Sequence, residues 1–162
     1  MSTARLRDLV AAGVDTFVCL QTSYTEYACS DYPRQLRELQ GAGAMRDIRF
    51  LHCPIPDFGI LSNESLHALV VELQRELASP EGHVLYIHCM GGHGRTGTVV
   101  ANLILALDGV DFGTAMAKLQ HCHRGRRCGH CALNDGELED FSQEQQALAV
   151  QGMMKRQHKI NA

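Results

Sequence analysis

The sequence predicts an α/β domain with a mostly parallel central sheet flanked by helices. Three short apolar runs, at residues 16–20, 48–53 and 84–88, have the length and composition of buried strands, and segments with helical periodicity alternate with them. Apolar strands that alternate with helices are typical of parallel sheets covered on both faces. The chain has 162 residues, of which 45% are hydrophobic and 20% charged, and this balance is typical of one globular domain.

The elements of the first half follow one another closely. A short amphipathic helix is expected to end near Gly13, just before the first strand. The polar stretch 21–31 is interpreted as a loop. Pro33 can open a second helix, which ends at Gly41 or Gly43.

The middle of the chain combines a breaker-rich loop with a regular helix. Residues 54–59 (PIPDFG) contain two prolines and a glycine, so they are expected to form a loop. Ser62 or Asn63 can cap the helix that follows. Its apolar positions share one face, namely Leu66, Leu69, Val70, Leu73 and Leu77.

The last third begins with a glycine-rich loop at residues 90–94. A largely apolar helix is predicted over residues 95–107, and Asp111 is expected to cap another. Ser142 and Gln145 form a capping box that predicts a final helix.

Charge and hydropathy argue against a nucleic-acid-binding protein and against a membrane protein. The 15 basic and 18 acidic side chains give a net charge of -3, which gives no support to a nucleic-acid partner. No apolar run approaches the ~20 residues that span a bilayer, and residues 1–12 carry charges where a signal peptide would be apolar. We therefore expect a cytoplasmic protein without a membrane partner.

The seven cysteines are expected to be mostly free thiols, because their number is odd and no export signal is visible. Cys19 and Cys53 lie at or near strand ends of the same predicted sheet. Each one either traps an oxidised Cys89 as a disulfide or fills a small apolar site.

A cysteine and an arginine bracket the glycine-rich loop. Cys89 ends the third predicted strand, and Arg95 opens the helix after it. The residues between them are Met90, Gly91, Gly92, His93 and Gly94. Three glycines allow the backbone N–H groups to point inward, and with the helix N-terminus they make an anion cradle that fits a phosphate dianion. Arg95 can add a bidentate, charge-assisted contact to two phosphate oxygens.

This loop suits nucleophilic chemistry on a phosphate ester. Its positive environment favours the thiolate of Cys89, and a thiolate attacks phosphorus without a general base. The Thr96 hydroxyl can stabilise that thiolate as the later leaving group. Asp57, on the loop after the second strand, can protonate the leaving oxygen and then activate water. Both loops leave carboxyl ends of parallel strands, so they are expected to share one crevice.

The segment His88–Gly97 (HCMGGHGRTG) resembles the His-Cys-x5-Arg-Ser/Thr signature of the cysteine-based protein tyrosine phosphatase superfamily. It is most similar to small dual-specificity-like phosphatases with an HCxGGxGRTG loop and an Ile-Pro-Asp acid loop. The resemblance covers about residues 5–150. It implies a tyrosine phosphatase-like fold and one phosphatase domain over residues 1–162, with a short C-terminal helical tail and no cofactor.

The resemblance also implies a role for each residue of the signature. Cys89 corresponds to the nucleophile and Arg95 to the phosphate clamp. Asp57 corresponds to the general acid and Thr96 to the hydroxyl partner of the cysteine. His88 corresponds to a buried histidine that tunes the cysteine.

Outside the signature, Gln146 corresponds to a glutamine that positions water, and residues 90–94 correspond to the phosphate cradle. The implied function is hydrolysis of phosphotyrosine, and also of phosphoserine or phosphothreonine, in a protein or peptide partner through a cysteinyl-phosphate. The alternative is a catalytically weak phosphate-binding module or a zinc-stabilised interaction module.

A second concentration of possible ligands lies near the C-terminus. Cys128 and Cys131 have the C-x2-C spacing of zinc sites, and Cys122 and His123 precede them. The cluster is either a zinc site or an exposed loop with incidental thiols. The basic run at residues 124–127 is either a solvated face or a patch that recruits substrate.

Overall fold

The computed structural model describes residues 2–41 and 47–124, and in them the strands form one parallel sheet. The strands are β1 (Thr16–Cys19), β2 (Arg49–His52) and β3 (Leu85–His88), in the order β2-β1-β3. Both pairings, of β1 with β2 and of β1 with β3, are parallel. The α/β fold class predicted from the sequence is confirmed.

Helices connect and cover these strands, as the alternating pattern predicts. In chain order they are α1 (Thr3–Ala11), α2 (Tyr32–Gly41), α3 (Asn63–Leu77), α4 (Gly94–Asp108) and α5 (Phe112–Arg124). The Ser62 side chain accepts a hydrogen bond from the Ser65 N–H at 3.1 Å, and Asp111 accepts one from Thr114 at 2.8 Å, so both predicted caps are present. The predicted capping box at Ser142 lies outside the described residues.

Two apolar cores lie on opposite faces of the sheet, because successive side chains of β1 point to opposite sides. Phe17 packs with α1 and α2, whereas Val18 packs with α3 and α4. Fully buried members of the first core are Leu6, Phe17 and Leu36, and those of the second are Val18, Leu20, Leu66, Val70, Leu73 and Val99. The central strand β1 is buried along its whole length, which explains its unbroken apolar run.

The observed boundaries differ from the predicted ones by small amounts. The strands are one or two residues shorter than the apolar runs, and α4 begins at Gly94 rather than Arg95. The stretch 21–31 is a loop as predicted, but it contains a short 3₁₀ turn at Glu26–Ala28. This turn lies beside the candidate functional site.

The register of the sheet brings three loops to one edge. Cys19 is aligned with both His52 and His88, so the three strands end at the same level. The loops that follow therefore begin side by side, as parallel strands require. The loop after β1 carries Glu26, the loop after β2 carries Asp57, and the loop after β3 carries Cys89.

Within the part of the chain that the structure describes, none of the helices alone has the length and apolar character to cross a bilayer. Only α4 and α5 taken together pass such a test, and they are bent by 120° at the break between them.

Candidate active site

The loop between β3 and α4 curls around the sulfur of Cys89. The Gly92 N–H points at Cys89 Sγ from 3.3 Å, and Cys89 is only 8% exposed. Gly92 has a φ of 75°, a left-handed conformation that glycine adopts without steric cost. The sulfur thus lies against a backbone amide next to the N-terminus of a 15-residue helix.

His88 contacts both this loop and helix α2 through its imidazole ring. Its Nδ1 lies 3.1 Å from the carbonyl oxygen of Cys89, and its Nε2 lies 2.7 Å from the Tyr32 hydroxyl. A carbonyl can only accept, so Nδ1 carries a proton, and in the neutral ring Nε2 accepts from the Tyr32 hydroxyl. Burial lowers the pKa of His88, which keeps the ring neutral as this arrangement requires. The histidine that the signature predicts is therefore buried beneath the loop and held by a tyrosine from α2.

Arg95 is buried to 3% exposure and is already engaged by protein groups. Its Nη1 donates to the carbonyl oxygen of Ile55 at 3.1 Å and to Oε1 of Glu26 at 3.0 Å. Its Nη2 lies 2.9 Å from Oδ1 of Asp57. The guanidinium is thereby fixed in orientation beside the cysteine loop, and one of its nitrogens faces Asp57.

Glu26 is a site residue that the sequence did not predict. Its carboxylate accepts hydrogen bonds from both the backbone N–H and the hydroxyl of Thr22, and it also binds Arg95. Partial burial alone would raise the pKa of Glu26, but these hydrogen bonds and the charge of Arg95 outweigh it and lower the pKa. No motif marks this glutamate, because its role depends on a contact with a residue in another loop.

Asp57 lies in the same crevice, as predicted from its position after β2. Besides the ion pair with Arg95, its Oδ2 accepts a hydrogen bond from the Tyr27 hydroxyl. The Asp57 side chain is 30% exposed, so it stands between the buried arginine and solvent. The structure therefore brings Cys89, Arg95 and Asp57 together at one edge of the sheet.

Thr96 does not make the contact that the signature led us to expect. Its hydroxyl is buried and makes no hydrogen bond with any described residue, so the predicted contact with Cys89 Sγ is not formed. Thr96 belongs to the first turn of α4, and the helical backbone restricts the directions that its side chain can take. The role of Thr96 stays a prediction.

Exposed apolar side chains lie around the crevice. Tyr27 contacts Asp57, Phe58 follows Asp57 in the chain, and Met90 follows Cys89; they are 59%, 65% and 52% exposed. Met90 Sδ also lies 3.6 Å from the sulfur of Cys29. Tyr24 is placed differently, since it packs against the apolar core beside Tyr32.

The other cysteines and the histidine named in the sequence analysis lie in different environments. Cys19 is buried, Cys53 is half-buried, and both are free thiols whose pKa is raised by burial. In α5, Cys122 is exposed, whereas the His123 ring is buried 4.9 Å from that of His93, so the two side chains occupy different environments. Cys128, Cys131 and Gln146 lie outside the described residues.

A parallel α/β fold in which a Cys-x5-Arg loop joins a strand to the next helix defines the class of cysteine-based phosphatases. A model of the PTP-SAK family, described as "Swiss Army Knife protein, DSP-PTPase phosphatase domain", matches residues 1–147. The chain belongs to this family and is a phosphatase domain of the dual-specificity type. The resemblance noted in the sequence is confirmed.

Solved phosphatase structures are similar over most of the chain. Tk-PTP in its active form is 28% identical, with a TM-score of 0.67 over 94% of this chain and 88% of that one. PTPMT1 in complex with PI(5)P has a TM-score of 0.71 over 96% and 88% of the two chains. It is 17% identical, so it supports the fold alone.

Two similar proteins come from Methanocaldococcus jannaschii, and both are named as uncharacterized. MJECL20 is 32% identical over 94 residues, which are 58% of this chain and 57% of that protein. MJ0215 is 34% identical over 91 residues, or 56% and 51% of the two chains. The matched region spans about half the length of these relatives.

Proposed function

We propose that this domain hydrolyses phosphotyrosine in proteins or peptides, and phosphoserine or phosphothreonine more slowly, through a cysteinyl-phosphate. The observation that carries the proposal is the placement of Cys89 Sγ. It lies 3.3 Å from an inward backbone N–H, in one crevice with the buried Arg95 and with Asp57. This combination offers a nucleophile, an anion site and a proton donor to one phosphate ester.

In the proposed reaction, the Cys89 thiolate attacks phosphorus and the bond to the leaving oxygen breaks. Asp57 gives that oxygen its proton, while Arg95 and the loop amides bind the other phosphate oxygens. Water then attacks the cysteinyl-phosphate and gives a proton to Asp57. The phosphorus–sulfur bond breaks, phosphate leaves, and the thiolate is restored.

The surroundings of the crevice support an aryl ester as the preferred substrate. Tyr27, Phe58 and Met90 offer exposed apolar surface beside the anion site, against which the ring of a phosphotyrosine can pack. We also propose a cytoplasmic location, where thiols are kept reduced.

The test is phosphate release from a phosphotyrosine peptide, measured with a chelator present. Cys89→Ser is expected to abolish turnover, because a neutral hydroxyl is a far weaker nucleophile. Cys53→Ser is the matched control, since Cys53 is a half-buried cysteine in the neighbouring loop, and it is expected to retain activity. After rapid acid quench, the wild type should carry one phosphoryl group that is absent from Cys89→Ser.

Two results would overturn the proposal: full activity of Cys89→Ser, or wild-type binding of phosphate without any turnover. The second result would favour the phosphate-binding module. Absence of turnover in the presence and absence of chelator, with zinc found by elemental analysis, would favour the zinc-stabilised interaction module at Cys122, His123, Cys128 and Cys131. Peptides of one sequence carrying phosphotyrosine or phosphothreonine compare the substrate classes directly.

A further inference from the structure

Tyr27 and Glu26 are consecutive residues of one 3₁₀ turn, yet they hold two different groups of the site. Glu26 binds Arg95, and the Tyr27 hydroxyl donates to Oδ2 of Asp57. The other oxygen of Asp57, Oδ1, lies 2.9 Å from Arg95 Nη2. Both oxygens of the proposed acid are thus engaged, one by the arginine and one by the tyrosine.

The backbone around Asp57 is strained on both sides of this contact. Among residues 2–41 and 47–124, the non-glycine residues with positive φ are Tyr27, at 56°, and Phe58, at 54°. One of them donates to Asp57 and the other follows it in the chain. Left-handed conformations of bulky residues are costly and persist where the surroundings enforce them, often at functional sites. The Tyr27–Asp57 contact is therefore held at a conformational cost.

Binding of a substrate phosphate affects the ion pair between Asp57 and Arg95. A phosphate dianion at the Cys89 loop needs donors from Arg95, and Nη1 is already bound to Glu26 and Ile55. The N–H groups that remain are on Nη2 and Nε, so a phosphate bound by these two nitrogens lies beside Asp57 Oδ1 and competes with it for the charge of Arg95. Once Asp57 has lost that partner, the hydrogen bond from Tyr27 to Oδ2 still holds its carboxyl group.

We propose that Tyr27 is a positioning residue, whose hydroxyl holds Asp57 at the mouth of the crevice after phosphate has displaced it from Arg95. This inference rests on the proposed function, in which Asp57 is the proton donor. Oδ2 accepts from Tyr27, and so Oδ1 is the oxygen that carries the proton towards the leaving group. The hydrogen bond to Asp57 raises the pKa of the Tyr27 phenol, so the phenol keeps its own proton and does not act as the acid itself.

The experiment compares phenyl phosphate, a poor leaving group that needs an acid, with 4-nitrophenyl phosphate, which needs little help. Tyr27→Phe keeps the ring and removes the hydroxyl. It is expected to lower kcat/KM for phenyl phosphate about tenfold and to change that for 4-nitrophenyl phosphate less than about twofold. Tyr24→Phe is the control, because this tyrosine lies in the same loop but packs against the core. It should alter neither rate.

Asp57→Asn separates this inference from the proposed function. It is expected to show the same selective loss, larger than that of Tyr27→Phe, and adding Tyr27→Phe to it should cause no further loss. Equal slowing of both substrates by Tyr27→Phe, or no slowing, would overturn the inference while leaving the role of Asp57 intact. If Asp57→Asn slowed both substrates equally, or slowed neither, Asp57 would not be the proton donor. That result would overturn this part of the proposed function and, with it, the inference about Tyr27.

Discussion

Glu26 Oε1 lies 3.0 Å from Arg95 Nη1, although 69 residues separate them in the chain. The Arg95 side chain is 3% exposed and that of Glu26 is 11% exposed, so the pair is largely shielded from solvent. Thr22 fixes the carboxylate with two hydrogen bonds. The guanidinium is therefore held in one orientation, which under the proposed function lowers the cost of binding a phosphate group.

Glu26→Gln is expected to lower kcat/KM about tenfold for good and poor leaving groups alike. The amide can still accept a hydrogen bond from Arg95, but it no longer compensates the positive charge of Arg95. Under the proposed function Arg95 binds the phosphate group, which is the same in both substrates, so both rates should fall alike. Steady-state rates on 4-nitrophenyl and phenyl phosphate provide the measurement. Glu38→Gln is the control, because Glu38 forms an exposed pair with Arg34 on α2. Unchanged rates in Glu26→Gln would show that Arg95 needs no such partner.

His88→Asn is expected to reduce the free energy of unfolding by about 1–3 kcal/mol at neutral pH, because it leaves the buried Tyr32 hydroxyl without its partner. Burial lowers the pKa of His88 in the folded state. The unfolded chain therefore binds this proton first as the pH falls below about 6.5, and the contribution of neutral His88 to stability is lost from there downwards.

Urea unfolding at several values between about pH 5 and pH 8 measures this effect. The difference in stability between the wild type and His88→Asn should shrink as the pH falls. A constant difference would mean that His88 titrates alike in both states. His67→Asn on α3 is the comparison, since α3 packs on the face of the sheet opposite to Tyr32.

Gly59→Ala is expected to reduce activity on phenyl phosphate by about tenfold to a hundredfold. A Cβ at this position would lie 2.9 Å from the backbone oxygen of Pro56, so the turn that carries Asp57 would have to shift. Displacement of a catalytic group by about 1 Å can lower the reaction rate by a factor of this size. Gly41→Ala is the control, because a Cβ there meets no atom of the described residues within 4 Å. Wild-type kinetics of Gly59→Ala would show that the turn absorbs the methyl group.

Leu66→Ala is expected to destabilise the domain by about 2–5 kcal/mol, because Leu66 is fully buried between α3 and the sheet. Leu107→Ala makes the same chemical change at a residue of α4 that is 50% exposed, and it should cost much less. Thermal or urea unfolding of the two variants tests the assignment of the core. Equal losses would contradict it.

The order of the elements could be predicted because each depends on residues close together in sequence. Alternation of apolar runs with helical periodicity gives strands and helices, and Ser62 and Asp111 mark helix starts through local hydrogen bonds. The cysteine loop was predictable for the same reason, since Cys89, the glycines and Arg95 form one continuous segment. Exact strand ends were not, because they depend on pairing with a neighbouring strand.

Asp57 could be anticipated at the site because its loop follows a strand, and parallel strands end at one edge. Thr96 shows the limit of such reasoning, since proximity in sequence did not produce the expected contact with the sulfur. Glu26 and Tyr27 could not be anticipated, because a glutamate and a tyrosine in a polar loop are ordinary. Their partners, Arg95 and Asp57, are distant in the chain.

The sequence alone determined the sheet, the cysteine loop and its family, because each is encoded in a contiguous pattern. Only the tertiary structure decided how Arg95 and Asp57 are held, because strand register places the turn after β1 against both of them. Contacts between separate loops arise from the packing of the whole sheet, and no local pattern records them.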